Sequence, residues 1–481
     1  MEIPVKKCNL VPLIHCTRKH HPAMRYLFLL SVLGITLFYS CSDKKIDDDD
    51  GDGDGNETLT LNQSVNTFLE GHFKKEYLWA AEIKSKSPSK SLEPAAYFSG
   101  MIYSGDKWSH LTDEPQEGEI AAASEGYDYG YGFLLTVWTS SETTIIGAKV
   151  NHVYPGSPAA RAGIQRGDMI TKIDGSSISS ANQGKLISGS NVSFEVWKKM
   201  NEEDTKTYVL TSGRFTVTPI LKDTIFTYEG KRIGYLYYTS FTYSGSSDTT
   251  DLSRVFKKFK GNVDEFILDL RYNGGGYSNV ATHIASLLAP SSVVDQGDIL
   301  IYKQWNKDMQ NSVGQANRED RFDKNVPVAS RLGLSKLWFI TTASTASSSE
   351  LLISGLWPSM GKENIRTVGG TTHGKNAGGL TYSPKENSLK NWHAYLITMT
   401  YTNKNSQSVS GGISPTYPFP GSNNKVIYDD ISDLGEPTDP YIAKILELIT
   451  GKSPLSRAPS ETPRQEYTAT LLGNPTYLIF E

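Results

Sequence analysis

Three short runs in the second half of the chain gather side chains able to do chemistry. They are Asp269-Leu270-Arg271-Tyr272-Asn273-Gly274-Gly275-Gly276, Thr345-Ala346-Ser347-Ser348-Ser349-Glu350 and Gly369-Gly370-Thr371-Thr372-His373-Gly374-Lys375. A serine hydroxyl is a weak nucleophile until a base takes its proton. A lysine can be that base only when neutral, which requires burial or neighbours that lower its pKa. A glycine run lets a substrate carbonyl approach the backbone closely. Each run also has a plainer reading. Serines before a helix cap it, and a lysine after glycine is usually a solvated charge. Gly369 through Lys375 is nearly a phosphate-binding loop, but Asn376 stands where Ser or Thr would hold Mg²⁺, and Ala377-Gly378-Gly379 begins a helix poorly. A nucleotide site is therefore set aside.

Strands must position these runs. Residues 263–270 and 337–342 read as buried strands, each ending in one of the runs, and residues 366–368 lead into the third. Residues 232–241 read as a further strand, and residues 251–259, 280–288 and 351–356 as helices. Such alternation predicts an α/β core over residues 220–450. Residues 119–219 carry short alternating strands. Over residues 58–118 the pattern is helical, with Leu61, Val65, Phe68, Leu69 and Phe73 near a 3.6-residue period. Polar, Pro-bearing residues 451–481 read as a loose tail.

The length of 481 residues allows two to four domains, and 38% hydrophobic with 21% charged residues describes a globular chain. Three Cys exclude a disulfide scaffold. No CxxC or HExxH is present, so neither a metal nor a cofactor is expected. A net charge of −4 argues against a nucleic-acid partner. Residues 1–41 read as a signal peptide with Met24 as a candidate true start: Arg25 precedes an apolar stretch too short to span a bilayer, which ends at Ser40-Cys41. Residues 42–57 hold eight acidic residues against two Lys and form an extended tether, leaving a body near −2. An EF-hand reading of that Asp/Gly run fails, since no Glu closes a 12-residue loop.

Several of these stretches resemble known families. Ser40-Cys41 resembles a bacterial lipobox, which implies lipid on Cys41 and anchoring to the outer membrane, with a tether like those of Bacteroidetes-type surface lipoproteins. Ser157-Pro158-Ala159-Ala160, Gly163-Ile164, Gly167-Asp168-Met169-Ile170 and Ile173-Asp174-Gly175 resemble a PDZ domain of bacterial protease type. In that family Gly130-Tyr131-Gly132-Phe133 matches the carboxylate-binding loop, whose N–H groups converge on an anion while the following strand accepts an extended peptide. The three chemical runs, in this order, resemble the S41 serine peptidases, the C-terminal (tail-specific) processing proteases, over residues 58–449. The resemblance implies a multidomain α/β protein with a helical N-terminal region, a PDZ β-sandwich or barrel and a ClpP/crotonase-like core. It implies Ser347 as nucleophile, Lys375 as general base, and the N–H groups of Gly275 and Ser348 as oxyanion donors. Two departures stand out: Gly379 replaces the family's Gln four residues after the Lys, and Pro358 falls near the family's helix Asp. His373 is an alternative base. The expected function is a cell-envelope serine endopeptidase acting on protein or peptide substrates, with a PDZ that binds their C-terminal tails or gates the cleft. The alternative is a catalytically weak relative serving as a PDZ peptide scaffold.

Overall fold

The computed structural model describes residues 59–113, 127–140, 145–242, 248–419, 431–455 and 467–472. The chain opens with helices α1 (Leu61–Lys75) and α2 (Pro94–Met101), then strand β1 (His110–Thr112). Thr60 caps α1 by accepting the Gln63 N–H, and the Gln63 side chain accepts the Thr60 N–H in return. The buried stripe Val65, Leu69 and Phe73 packs on Tyr97 and Phe98, as the helical period requires, and on Ala394 and Leu396 of a distant strand. The N-terminal helices therefore share a core with the C-terminal half.

The next unit holds β2 (Tyr127–Gly130), β3 (Phe133–Ser140), β4 (Ile145–Val153), helix α3 (Pro158–Ala162), β5 (Met169–Ile173), β6 (Ser176–Ser177), β7 (Val192–Trp197), β8 (Thr205–Leu210) and β9 (Gly213–Thr216). β7 alternates buried and half-buried residues along its length, so one face meets the core. β2 and β9 form a separate two-stranded ribbon.

The large unit comprises β10 (Ile220–Tyr228), β11 (Lys231–Tyr238), α4 (Asp248–Phe259), β12 (Glu265–Asp269), α5 (Ser278–Leu288), α6 (Ser291–Gln296), β13 (Ile299–Trp305), α7 (Lys307–Ser312), β14 (Glu319–Arg321), β15 (Leu337–Thr341), α8 (Ser348–Met360), β16 (Ile365–Gly369), β17 (Ala377–Tyr382), β18 (His393–Asn403), β19 (Tyr417–Pro418) and α9 (Pro440–Thr450). Its main sheet runs β10-β11-β12-β15-β16-β19, parallel from β11 onward. Both faces are covered, which is why these strands are apolar without alternation. Leu236, Tyr238, Leu268 and Phe339 join α4, α5 and α8 in one core. Tyr235, Tyr237, Ile267, Trp338 and Ile340 face α9 in another. The second sheet, β1-β18-β13-β14 with β17 also on β18, includes β1 of the N-terminal region.

The tail differs from its reading as loose. Strand β20 (Tyr467–Leu472) pairs antiparallel with β3, extending that sheet to β20-β3-β4-β5-β7-β8 with β6 on β5. Tyr467, Thr468 and Thr470 favour a strand, and the open edge of β3 supplies the partner.

Candidate active site

The three runs follow β12, β15 and β16, at the carboxyl ends of neighbouring parallel strands, where open α/β sheets form their clefts. Hydrogen bonds lace the first two together. Thr345 Oγ1 donates to Leu270 O (2.8 Å), Ala346 N–H to Asn273 O (3.1 Å) and Ser348 Oγ to Gly276 O (2.6 Å). The third joins them through His373 N–H, which donates to Thr345 O (2.9 Å).

Glu350, fully buried, is the hub. Its carboxylate accepts the N–H groups of Ser347 (2.8 Å), Gly374 (2.6 Å) and Lys375 (2.9 Å), and the Thr372 hydroxyl. Burial pushes its pKa up, against the pull of those hydrogen bonds. Ser347 occupies the N-cap position of α8 with φ 63° and ψ −118°. That is a sparsely allowed conformation for a residue with a side chain, and such strain clusters at functional turns. Ser347 and Glu350 hold the arrangement of a capping box, with Glu350 accepting the Ser347 N–H, yet Ser347 Oγ is buried without a hydrogen-bond partner among the described residues.

Ser347 and Lys375 line one small cavity with Ile301, Leu351, Tyr401 and Val409. Lys375 is 5% exposed, and burial pushes its amine down to about 8 despite the opposing attraction of Asp106 and Glu350. His373 is exposed and lies outside this cavity. Gly379, where the family's Gln would stand, has no room for a side chain: a Cβ there would lie 2.3 Å from Leu396 O and 2.7 Å from the Tyr395 ring. Pro358 sits inside α8.

Gly275 and Ser348 meet beside Ser347. A Cβ on Gly275 (φ 109°) would lie 2.6 Å from Ser347 Cβ and 3.0 Å from Ser348 N, so only glycine fits. Ser348 N–H is among the first amides of α8, which have no acceptor within the helix. Gly275 N–H donates to Asn273 Oδ1 (2.9 Å) and is therefore engaged in this conformation. The Lys375 turn enters strand β17, not a helix, so it lacks the helix N-terminus of a phosphate-binding loop.

Gly130, Tyr131, Gly132 and Phe133 lie in the separate β-unit. Gly132 has φ 80°, and a Cβ there would lie 2.1 Å from Ser157 Cβ. Tyr131 and Phe133 are buried and join Phe194 in the unit's core. Cys41 lies outside the described residues. Sequence reasoning did not anticipate the electrostatic pull of Asp106 on Lys375; that carboxylate arrives from the N-terminal region and carries no local signal. The organising role of Glu350 was foreshadowed only by its spacing of three from Ser347.

An α/β sheet with these turns at its strand ends, and a small β-unit inserted ahead of it, defines a class. The family model Peptidase family S41 matches residues 232–419, and that of a PDZ domain matches residues 149–198. The chain therefore carries a domain of peptidase family S41, a family of serine peptidases, and a PDZ domain.

Among particular relatives, the carboxyl-terminal-processing peptidase 2 of Arabidopsis thaliana chloroplasts is 26% identical over 327 residues, covering 66% of this chain and 58% of its own. The carboxyl-terminal-processing protease of a Picosynechococcus species is 26% identical over 321 residues, covering 64% of this chain and 70% of its own. The chain thus spans little more than half the length of the Arabidopsis relative. A candidate S41 protease from Bacteroides fragilis shares the fold, with a TM-score of 0.62 at 23% identity over 83% of this chain and 99% of that one.

Proposed function

We propose that this chain hydrolyses peptide bonds of protein substrates with Ser347 and Lys375. Neutral Lys375 Nζ takes the Ser347 Oγ proton as Oγ attacks the substrate carbonyl carbon. The oxyanion is received by Ser348 N–H, joined by Gly275 N–H once that peptide leaves Asn273. The protonated amine then gives its proton to the departing nitrogen, and water cleaves the ester by the reverse route. The observation that carries this reading is an unpartnered, buried serine hydroxyl in the same cavity as a lysine whose amine is held near neutrality. The PDZ loop Gly130–Phe133 binds substrate C-termini or gates the cleft. Cys41 carries lipid and tethers the enzyme to the outer membrane through residues 42–57; among the described residues no helix is long and apolar enough to cross a membrane.

A second reading is supported by two observations: the engaged Gly275 N–H and the lack of room for a Gln at Gly379. Both fit a weak peptidase acting as a peptide-binding scaffold. Fluorophosphonate labelling and casein digestion, beside Ser347→Ala, separate the two. Labelling of the natural chain that is lost in the variant supports the enzyme; digestion surviving in Ser347→Ala refutes the assigned nucleophile.

A further inference from the structure

A peptide read by β-augmentation takes the free edge of the strand that follows the carboxylate loop and runs antiparallel to it, toward the loop. Strand β20 does all of this within the same chain. β4 holds one edge of β3, and β20 fills the other, from Tyr467 opposite Ser140 to Leu472 opposite Leu135. The strand thus advances toward Phe133 and the loop. The side chain of Leu472 is half-buried and packs against the core cluster that contains Tyr131, Phe133 and Leu135. An apolar residue delivered beside the loop on an antiparallel strand is what a bound C-terminal tail would present.

We propose that β20 is a tethered occupant of the PDZ peptide groove, which a polypeptide with a free apolar C terminus must displace. The inference rests on the reading of Gly130–Phe133 as a tail-binding loop. The edge of β3 offers one row of N–H and C=O groups, so two strands cannot pair with it together. Residues 473–481 follow Leu472, so β20 brings the loop no α-carboxylate at that register. It is therefore an incomplete ligand, and a true C terminus gains the nest contacts that β20 leaves unmade. The tether from Leu455 to Tyr467 is short, and short linkers give effective concentrations on the order of mM. An intramolecular strand binding with a dissociation constant of roughly 100 μM would then weaken a free peptide's apparent affinity by about tenfold.

The test is fluorescence anisotropy with a labelled peptide ending in Leu-Leu, made with a free carboxylate and as the amide. It is titrated into the full chain, into full-length Leu472→Asp and into a chain ending at Leu455. The expected result is a roughly tenfold tighter affinity for the free-carboxylate peptide in both variants, reversed in the shortened chain by an unlabelled synthetic peptide of residues 463–475. Equal affinity of that peptide for all three proteins overturns the tethered occupant and leaves the tail-binding loop standing. Equal affinity of the acid and amide peptides for the shortened chain overturns the loop reading, and the inference with it.

Discussion

The turn at Ser347 and the edge of β3, proposed above to cut and to capture extended peptide, are built in opposite ways. At Ser347 the backbone is over-determined. One buried carboxylate, Glu350, gathers N–H groups from the Ser347 turn and the Lys375 turn, and the strained φ of Ser347 is held by that net. At β3 the proposed groove is closed by one strand, Tyr467–Leu472, held by backbone pairing at the sheet edge and by Leu472 against the core. The difference teaches where each kind of binding places its demand. Attack on a carbonyl needs atoms held to within a fraction of an ångström before substrate arrives. Capture of a tail needs an edge that can be vacated.

Substitutions at Ser347 and Lys375 test the rigid half hardest. Ser347→Ala and Lys375→Arg should each lower turnover by on the order of 10⁴-fold or more, with the double variant hardly worse, since the pair acts as a unit. Steady-state peptidolysis checks this, and additive losses would dissolve the pair. His373→Ala should retain most activity. In the natural chain, turnover should rise with pH through about 8, because only the neutral amine of Lys375 accepts the proton.

Removing the amine should raise stability even as it abolishes turnover. The Lys375 amine titrates near 8 when folded and near its ordinary 10.5 when unfolded. The folded state therefore disfavours the proton, and the penalty is present in full below pH 8 and gone above 10.5. Lys375→Met should stabilise the fold by on the order of 3 kcal/mol at pH 7, a gap that closes as pH rises. Urea unfolding across that range reads it; a destabilised variant would mean that the amine is solvated or paired.

Glu350→Gln turns an amide NH₂ toward several N–H donors. It should cost about 1–3 kcal/mol of stability and reduce turnover while leaving peptide binding at the PDZ loop unchanged. Leu472→Asp should do the reverse in function: it should cost about 1.4 kcal/mol, the stability that a tenfold docking equilibrium supplies, and of the two activities only tail affinity should change. If the two variants disturbed both functions alike, the contrast between fixed turn and exchangeable edge would fail.

Much of the rigid half was legible in the sequence, because its determinants are local. Apolar strands ending in the Asp269, Thr345 and Gly369 runs announce themselves by composition and punctuation. What the sequence hid is long-range pairing. β1 joins β18 across nearly three hundred residues, and β20 joins β3 across more than three hundred, with no periodicity in either partner to signal the other. The bond from Gly275 N–H to Asn273 Oδ1 and the ring of Tyr395 beside Gly379 are likewise products of packing. Family comparison marked the missing Gln at Gly379, but only the fold reveals that the space is filled.

Arg271 adds a consequence for how short this chain can become. Its buried guanidinium is held by Asp269 on one side and by Asp439, at 2.8 and 3.1 Å, on the other. Asp439 also caps α9 through the N–H groups of Tyr441 and Ile442. Trimming from the C terminus should therefore have two regimes. Removal back to Leu455 takes away a strand at a sheet edge and leaves the buried charges matched. A cut that also removes Asp439 strips the counter-charge from Arg271 in the first of the three turns and uncovers the face of the main sheet. Breaking such a buried pair alone costs about 3–5 kcal/mol, a large share of the 5–15 kcal/mol that typically holds a domain folded. The strand Tyr467–Leu472 and the turn at Asp439 lie close in sequence, but the first is an edge and the second is part of the fold's foundation.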